Sequence, residues 1–122
     1  MTSPQPEARL GDAEIARALE ALPQWRYADG VLERTYATDG WPTTLMLVNA
    51  MGFYAEAADH HPDLEVHWGS VTVRLSTHSA GGITAKDVEL ARLIEQAALW
   101  RPGAGSAFAG TKKKWVEGGA GG

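Results

Sequence analysis

Residues 56–87 read EAADHHPDLEVHWGSVTVRLSTHSAGGITAKD and hold all four histidines of the chain. Leu64, Val66 and Trp68 alternate with Glu65 and His67, and Val71, Val73 and Leu75 alternate with Thr72, Arg74 and Ser76. A period of two puts each apolar set on one side of a strand. Gly69-Ser70 lies between the two runs as a tight turn or a bulge, so the stretch predicts a hairpin-like pair of strands. Pro62 disfavours helical geometry at His61, so the apolar helical run before it stops there or earlier. Thr84 to Asp87 is a T-x-x-D variant of the capping box and opens another helix. Helix, hairpin, helix is therefore the centre of the fold.

Working outward, Asp39-Gly40-Trp41-Pro42 starts the helix that ends near Pro62, since proline is tolerated in a first turn. Leu47, Met51, Tyr54 and Ala58 share one face of it. Further upstream, Ile15, Ala18, Leu19 and Leu22 recur at helical spacing in a short amphipathic helix, with Asp12 as its cap and Pro23 as its stop. Trp25 reads as a core anchor. Val31 to Thr38 is strand-like, and Asp29-Gly30 is a turn that places the last strand within residues 24–38 as a hairpin. Downstream, Leu90, Ala91, Ile94, Ala97 and Ala98 form the apolar face of the last helix, which Pro102 ends. The expected fold class is α+β, an antiparallel, about four-stranded sheet with three helices packed on one face.

The chain has 122 residues, 44% of them hydrophobic, which suits one domain with its own core. Residues 1–9 are Pro-rich and expected to be disordered, residues 10–101 form the domain, and residues 102–122 form a flexible Gly-rich tail in which Phe108 and Trp115 could dock. No stretch reaches the roughly 20 apolar residues that cross a bilayer, and the first residues lack the pattern of a secretory signal. Cysteine is absent, which excludes disulfide and thiolate chemistry and suits the reducing cytoplasm. A net charge of −4 argues against nucleic acid and anionic membrane as partners, and the basic run Lys112 to Lys114 is too short to reverse that.

Histidines so gathered suggest chemistry. His67 sits on the polar side of its strand and is assigned to solvent. His60 and His61 at a helix end, and His78 at the close of the second strand, on the open face with Arg74 and Ser76, are the candidates. A three-histidine metal site with Glu56 or Asp59 is one reading. Adjacent histidines diverge in regular structure, however, and do not reproduce the four-residue spacing of H-E-x-x-H. Acid–base chemistry needs no metal, because imidazole can take or give a proton near neutral pH. Glu56 shares a helix face with His60 if the helix runs that far, and Glu56 and Asp87 are the carboxylates that could orient the rings.

The pattern E-x-x-x-H-H-P-D over Glu56–Asp63, then Trp68, V-T-V-R-L-S-T-H over 71–78, a Gly turn and T-x-x-D closely resembles the pterin-4a-carbinolamine dehydratases. The resemblance is densest over residues 56–98 and looser over 12–55. It implies a cofactor-free α+β enzyme whose small-molecule substrate is a 4a-hydroxytetrahydropterin, dehydrated to the quinonoid dihydropterin in tetrahydrobiopterin recycling, and which forms homodimers or homotetramers. Carried over by position, His60, His61 and His78 are the catalytic residues. His60 and His78 would be the acid–base pair, with the order open, and His61 would bind and orient the pterin. Glu56, Pro62, Thr77, Ser79, Ala80 and Asp87 would contact substrate. Leu64 and Ala57 depart from the family pattern, where an aromatic and a Lys are common. Two alternatives stand beside this reading. One is a relative acting on another pterin. The other is a non-catalytic interaction protein, since relatives also serve in animals as dimerisation cofactors of a transcription factor; Leu90, Ile94 and Ala98 could supply such a face, although bare helical stripes are usually core or self-assembly surface.

Overall fold

The computed structural model describes residues 8–110 and 116–117. The order is α1 (Asp12–Leu19), β1 (Arg26–Ala28), β2 (Val31–Ala37), α2 (Trp41–Ala58), β3 (Asp63–His67), β4 (Ser70–Leu75), a 3-10 turn (His78–Ala80) and α3 (Ala85–Leu99). The four strands form one antiparallel sheet in the order β1-β2-β4-β3, so β2 and β4 are central. The expected α+β class holds.

Both hairpins follow from local chemistry. Asp29 and Gly30 have φ of 54° and 76°, the two positive angles of a turn that matches the twist of β1 and β2. Trp68-Gly69 forms the turn between β3 and β4, one residue earlier than the spacing suggests, because His67 pairs with Ser70. Gly40 has φ 146°, and a Cβ there would lie 3.2 Å from the Trp68 ring. That glycine lets α2 start directly against the hairpin turn.

Val71, Val73 and Leu75 of β4 are buried beneath the helices, together with Leu32 and Tyr36 of β2, and Thr72 on the opposite side of this central strand is buried too. Ile15, Leu22 and Trp25 join the same core. In β3, Leu64 is partly buried, whereas Val66 and Trp68 are exposed, since β3 is an edge strand that the helices cover incompletely. The opposite face of the sheet is polar. Glu33 lies between Arg26 at 3.4 Å and Arg74 at 2.7 Å, and Arg74 reaches Glu65 at 3.6 Å. These exposed cross-strand pairs favour the register but are individually weak.

Leu90, Ile94 and Ala98 are buried in the core, so they are not available as an interaction face on α3. The stripe packs in the protein's own core, the ordinary role of such a stripe. His78 sits differently from its expected place. β4 ends at Leu75, Thr77 makes an isolated bridge to Gly82, and His78 opens the 3-10 turn. α1 is capped by Gly11, with Glu14 accepting from its backbone N–H at 3.1 Å, and Asp12 is the first helical residue.

The expected disorder of the N-terminus falls mostly outside the described residues; Leu10 donates its N–H to the Ile83 carbonyl at 2.8 Å. Within the segment expected to form a tail, Val116 is buried and bridges Thr38, and Glu117 donates to the Ala37 carbonyl at 2.9 Å. Phe108 is exposed. Trp115 and Lys112 to Lys114 lie outside the described residues. No helix among the described residues is long and apolar enough to cross a membrane.

One polar cluster lies within the core. Glu95 of α3 accepts through a single oxygen from Trp25 Nε1 at 3.1 Å, from Arg34 Nε at 3.3 Å and from the Tyr36 hydroxyl. Arg34 also lies over the Tyr36 ring, 4.2 Å from its centre, and its Nη2 is buried without a hydrogen-bond partner. Burial pushes the Tyr36 phenol well above its ordinary range, and the Glu95 hydrogen bond adds to the rise. Removing the carboxylate by Glu95→Ala strands the buried guanidinium, with an expected loss of about 3 kcal/mol in urea unfolding. Tyr36 contributes its stability fully below the unfolded phenol value of roughly 10. That contribution declines as pH rises further, because only the unfolded chain then ionises readily. Tyr36→Phe should flatten this alkaline slope.

Candidate active site

Three chain segments converge at the end of the sheet where β4 terminates. Asp59 caps the C-terminal end of α2, with left-handed φ of 51° and ψ of 44°. Such a residue is costly unless it is Gly, Asn or Asp, and it turns the chain out of the helix. The His60 N–H returns to the Ala55 carbonyl at 3.0 Å, closing the helix end. His60 therefore leaves the helical course instead of sharing a face with Glu56. This alters the expected pairing of rings and carboxylates.

His60 Nε2 lies 2.6 Å from Asp87 Oδ1. The His60 side chain is 12% exposed and Asp87 is fully buried. A carboxylate only accepts, so Nε2 carries the proton and Nδ1 of the neutral ring is left to accept. His61 Nε2 pairs instead with Glu56 Oε2 at 2.8 Å, and both side chains are largely exposed. The two adjacent histidines thus have separate carboxylates and very different environments.

Asp87 is the third residue of α3, where the helix dipole favours negative charge. Its Oδ2 accepts from the Thr77 hydroxyl at 2.7 Å and from the Thr84 N–H at 2.9 Å. One carboxylate thus both caps α3 and hydrogen-bonds the His60 ring. Thr77 directly precedes His78, so the Asp87 contacts link the His60 segment to the His78 segment. His78 is exposed and no hydrogen bond to its ring is found among the described residues. Pro62 and Ala80 are partly buried and Ser79 is exposed, all within the same two loops. His67 pairs with Glu65 at 3.1 Å on the exposed edge strand, apart from these groups. That hydrogen bond, with the charge of Arg74, holds the Glu65 carboxyl below its ordinary value.

A groove of about 540 Å³ opens beside His60, between the end of α2 and the outer side of α3, with Lys86, Glu89 and Arg92 along it. A more apolar cavity of about 600 Å³ lies between α2 and the segment after α3, and none of the candidate site residues lines it. The groove at His60 is the one that meets chemistry. Among the described residues no group of three His, Asp or Glu side chains could hold a metal ion.

The family model described as pterin 4 alpha carbinolamine dehydratase matches residues 8–97. The chain belongs to that family. A Nocardia farcinica protein, provisionally named a pterin-4-alpha-carbinolamine dehydratase, is 44% identical over 89 residues, covering 73% of this chain and 94% of that protein. An Aquifex aeolicus protein with the same provisional name is 43% identical over 88 residues, or 72% of this chain and 89% of that one. Among solved structures, a Brucella melitensis protein described as a transcriptional coactivator/pterin dehydratase is 33% identical, with a TM-score of 0.68 over 70% of this chain and 94% of its own. The antiparallel α+β architecture is thus that of the pterin dehydratase family.

Sequence reasoning missed Thr84 as a contact of the site. Its signal was present in the T-x-x-D box, because a buried cap residue shares its partners with whatever the capping Asp holds. The two carboxylates should separate clearly on substitution. Asp87→Ala removes three hydrogen bonds from a buried position and should cost about 2–3 kcal/mol in chemical denaturation. Glu56→Gln, at an exposed pair, should change stability by less than about 0.5 kcal/mol.

Proposed function

We propose that this chain removes water from a 4a-hydroxytetrahydropterin to give the quinonoid dihydropterin, by histidine acid–base catalysis. The observation that carries this reading is the His60–Asp87 pair at 2.6 Å, built against a groove and next to the segment that bears His78. Family membership supports the same reaction.

The proton balance assigns the roles. The reaction breaks the carbon–oxygen bond to the hydroxyl, forms a carbon–nitrogen double bond and releases the neighbouring N–H proton. His60, with Nε2–H directed to Asp87, has Nδ1 free to take that proton, and the carboxylate faces the charge the ring then acquires. His78, protonated, gives its proton to the departing hydroxyl, which leaves as water. Proton return from His60 to His78 through solvent completes the cycle, so no redox partner or cofactor enters. We assign His61, paired with Glu56, to binding and orienting the pterin, with Pro62, Ser79 and Ala80 beside it, whereas the buried Thr77 and Asp87 act on the pterin through His60. The cytoplasm, where tetrahydropterins stay reduced, is the proposed location. An interaction-only role draws no support from α3, whose apolar stripe is buried.

Acceleration of 4a-hydroxytetrahydropterin dehydration, followed by absorbance, is the direct measurement. His60→Ala and His78→Ala should each lower kcat by about 10²- to 10⁴-fold with the fold retained, and His61→Ala should act more on KM. Wild-type protein no faster than buffer would sink the proposal.

Self-association is proposed on a separate observation. α2 carries no charged residue from Trp41 to Ala55, yet Trp41, Leu45, Met46 and Phe53 are 43%, 40%, 50% and 70% exposed. A helix apolar on all sides is normally buried, and a second copy of the same helix is the occupant that matches it in chemistry. Light scattering should give the mass of a dimer or tetramer for the wild type and a smaller species for Phe53→Glu. A monomeric wild type at micromolar concentration refutes it.

A further inference from the structure

The Asp87 carboxylate is held in one orientation by a chain of hydroxyls that begins at Thr84. Thr84 Oγ1 and Thr77 Oγ1 are 2.9 Å apart, and Thr77 Oγ1 is 2.7 Å from Asp87 Oδ2. Each hydroxyl has one proton, and a carboxylate can only accept. Thr77 must therefore spend its proton on Asp87, and the bond between the two threonines must be donated by Thr84. Thr84 Oγ1 in turn accepts from the Lys86 N–H at 3.3 Å, which satisfies the helix start. The direction of every bond is determined: Thr84 to Thr77, Thr77 to Asp87, and His60 Nε2 to the other oxygen of Asp87. Thr77 is 5% exposed and Thr84 and Asp87 are fully buried, so water does not compete with these bonds.

We propose that Thr84 is a positioning residue for the reaction, acting on His60 through Thr77 and Asp87. Its hydroxyl proton fills the accepting site of Thr77, which commits the Thr77 proton to Oδ2. With Oδ2 engaged by Thr77 and by the Thr84 N–H, Oδ1 is the oxygen left to His60. That arrangement holds the neutral ring with Nε2 protonated and turns the basic Nδ1 outward. The inference rests on the dehydratase reading for its catalytic consequence, and on the hydrogen bonds alone for its structural one. An ordinary helix cap would need only the Thr84 oxygen as acceptor. The donated proton is the part that a cap does not use.

A ring proton–nitrogen correlation spectrum of the full chain, with the His60 signals assigned by their loss in His60→Gln, reads the tautomer without any substrate. The wild-type neutral ring should show Nε2 protonated and Nδ1 bare. Thr84→Val keeps the side-chain shape and removes the hydroxyl. It should give a mixture of ring tautomers and lower kcat by about 10- to 100-fold, with KM changed by less than about threefold. Thr84→Ser restores the donor and should recover both readouts. Should Thr84→Val not fold, Thr84→Ala carries the same comparison. A wild-type His60 ring protonated at Nδ1 overturns the proposal without any variant. So does a folded Thr84→Val or Thr84→Ala chain with wild-type ring pattern, or a Thr84→Ser chain that fails to recover it. A wild type with the expected ring pattern and no turnover would count against the dehydratase reading and leave the positioning of His60 standing.

Discussion

Burying a carboxylate is costly unless hydrogen bonds replace its water, and Asp87 is a fully buried carboxylate. Three donors, from α2's exit, from the end of β4 and from the start of α3, meet its two oxygens. The Thr84 N–H is local to the helix start, whereas His60 and Thr77 are brought to the carboxylate from other segments. The requirement to satisfy one charge therefore dictates where three chain segments meet, and the site is the place where they meet. The helix dipole adds to this, since α3 directs its N-terminal end at the same carboxylate.

A second carboxylate, the partly buried Glu95, sits two turns further along α3 and has a contrasting part. It joins Trp25, Arg34 and Tyr36 to the helix through partly buried hydrogen bonds. Glu95 fixes how α3 lies on the sheet, and Asp87 uses that fixed helix to hold His60. The open face of the sheet needs no such precision, and its charges are arranged as exposed cross-strand pairs. One helix thereby couples the alignment of the core to the alignment of the site.

Much of this was legible in the chain itself. Period-two alternation located β4 and the central hairpin, and Asp29-Gly30 located the turn between β1 and β2, because side chains on a pleated strand must segregate and a tight hairpin needs positive φ. The T-x-x-D box located the start of α3 to the residue. The pairing of rings with carboxylates was not legible, because it depends on Asp59 adopting a left-handed conformation that diverts His60 from the face of Glu56. Glu95 was missed for a similar reason: its neighbours on α3 read as a simple apolar stripe. A signal existed in Arg34, which occupies an inward position between Leu32 and Tyr36 and so requires an acidic partner under the sheet. Nothing in the Gly-rich composition after residue 102 signals the docking of Val116, since one buried residue is too little pattern to read.

The two ends of the described chain are fastened at opposite ends of the central strands. Leu10 is tied to Ile83 beside the site, while Val116 and Glu117 are tied to Thr38 and Ala37 where β2 finishes. Tension between these anchors would run lengthwise along β2 and β4, whose six paired positions lie side by side. Strands loaded in that direction must give way together and not one bond at a time. A load or a bulky fusion carried after Glu117 would also act at the end of the sheet away from His60, whereas one carried before Leu10 would press on the turn that bears His78.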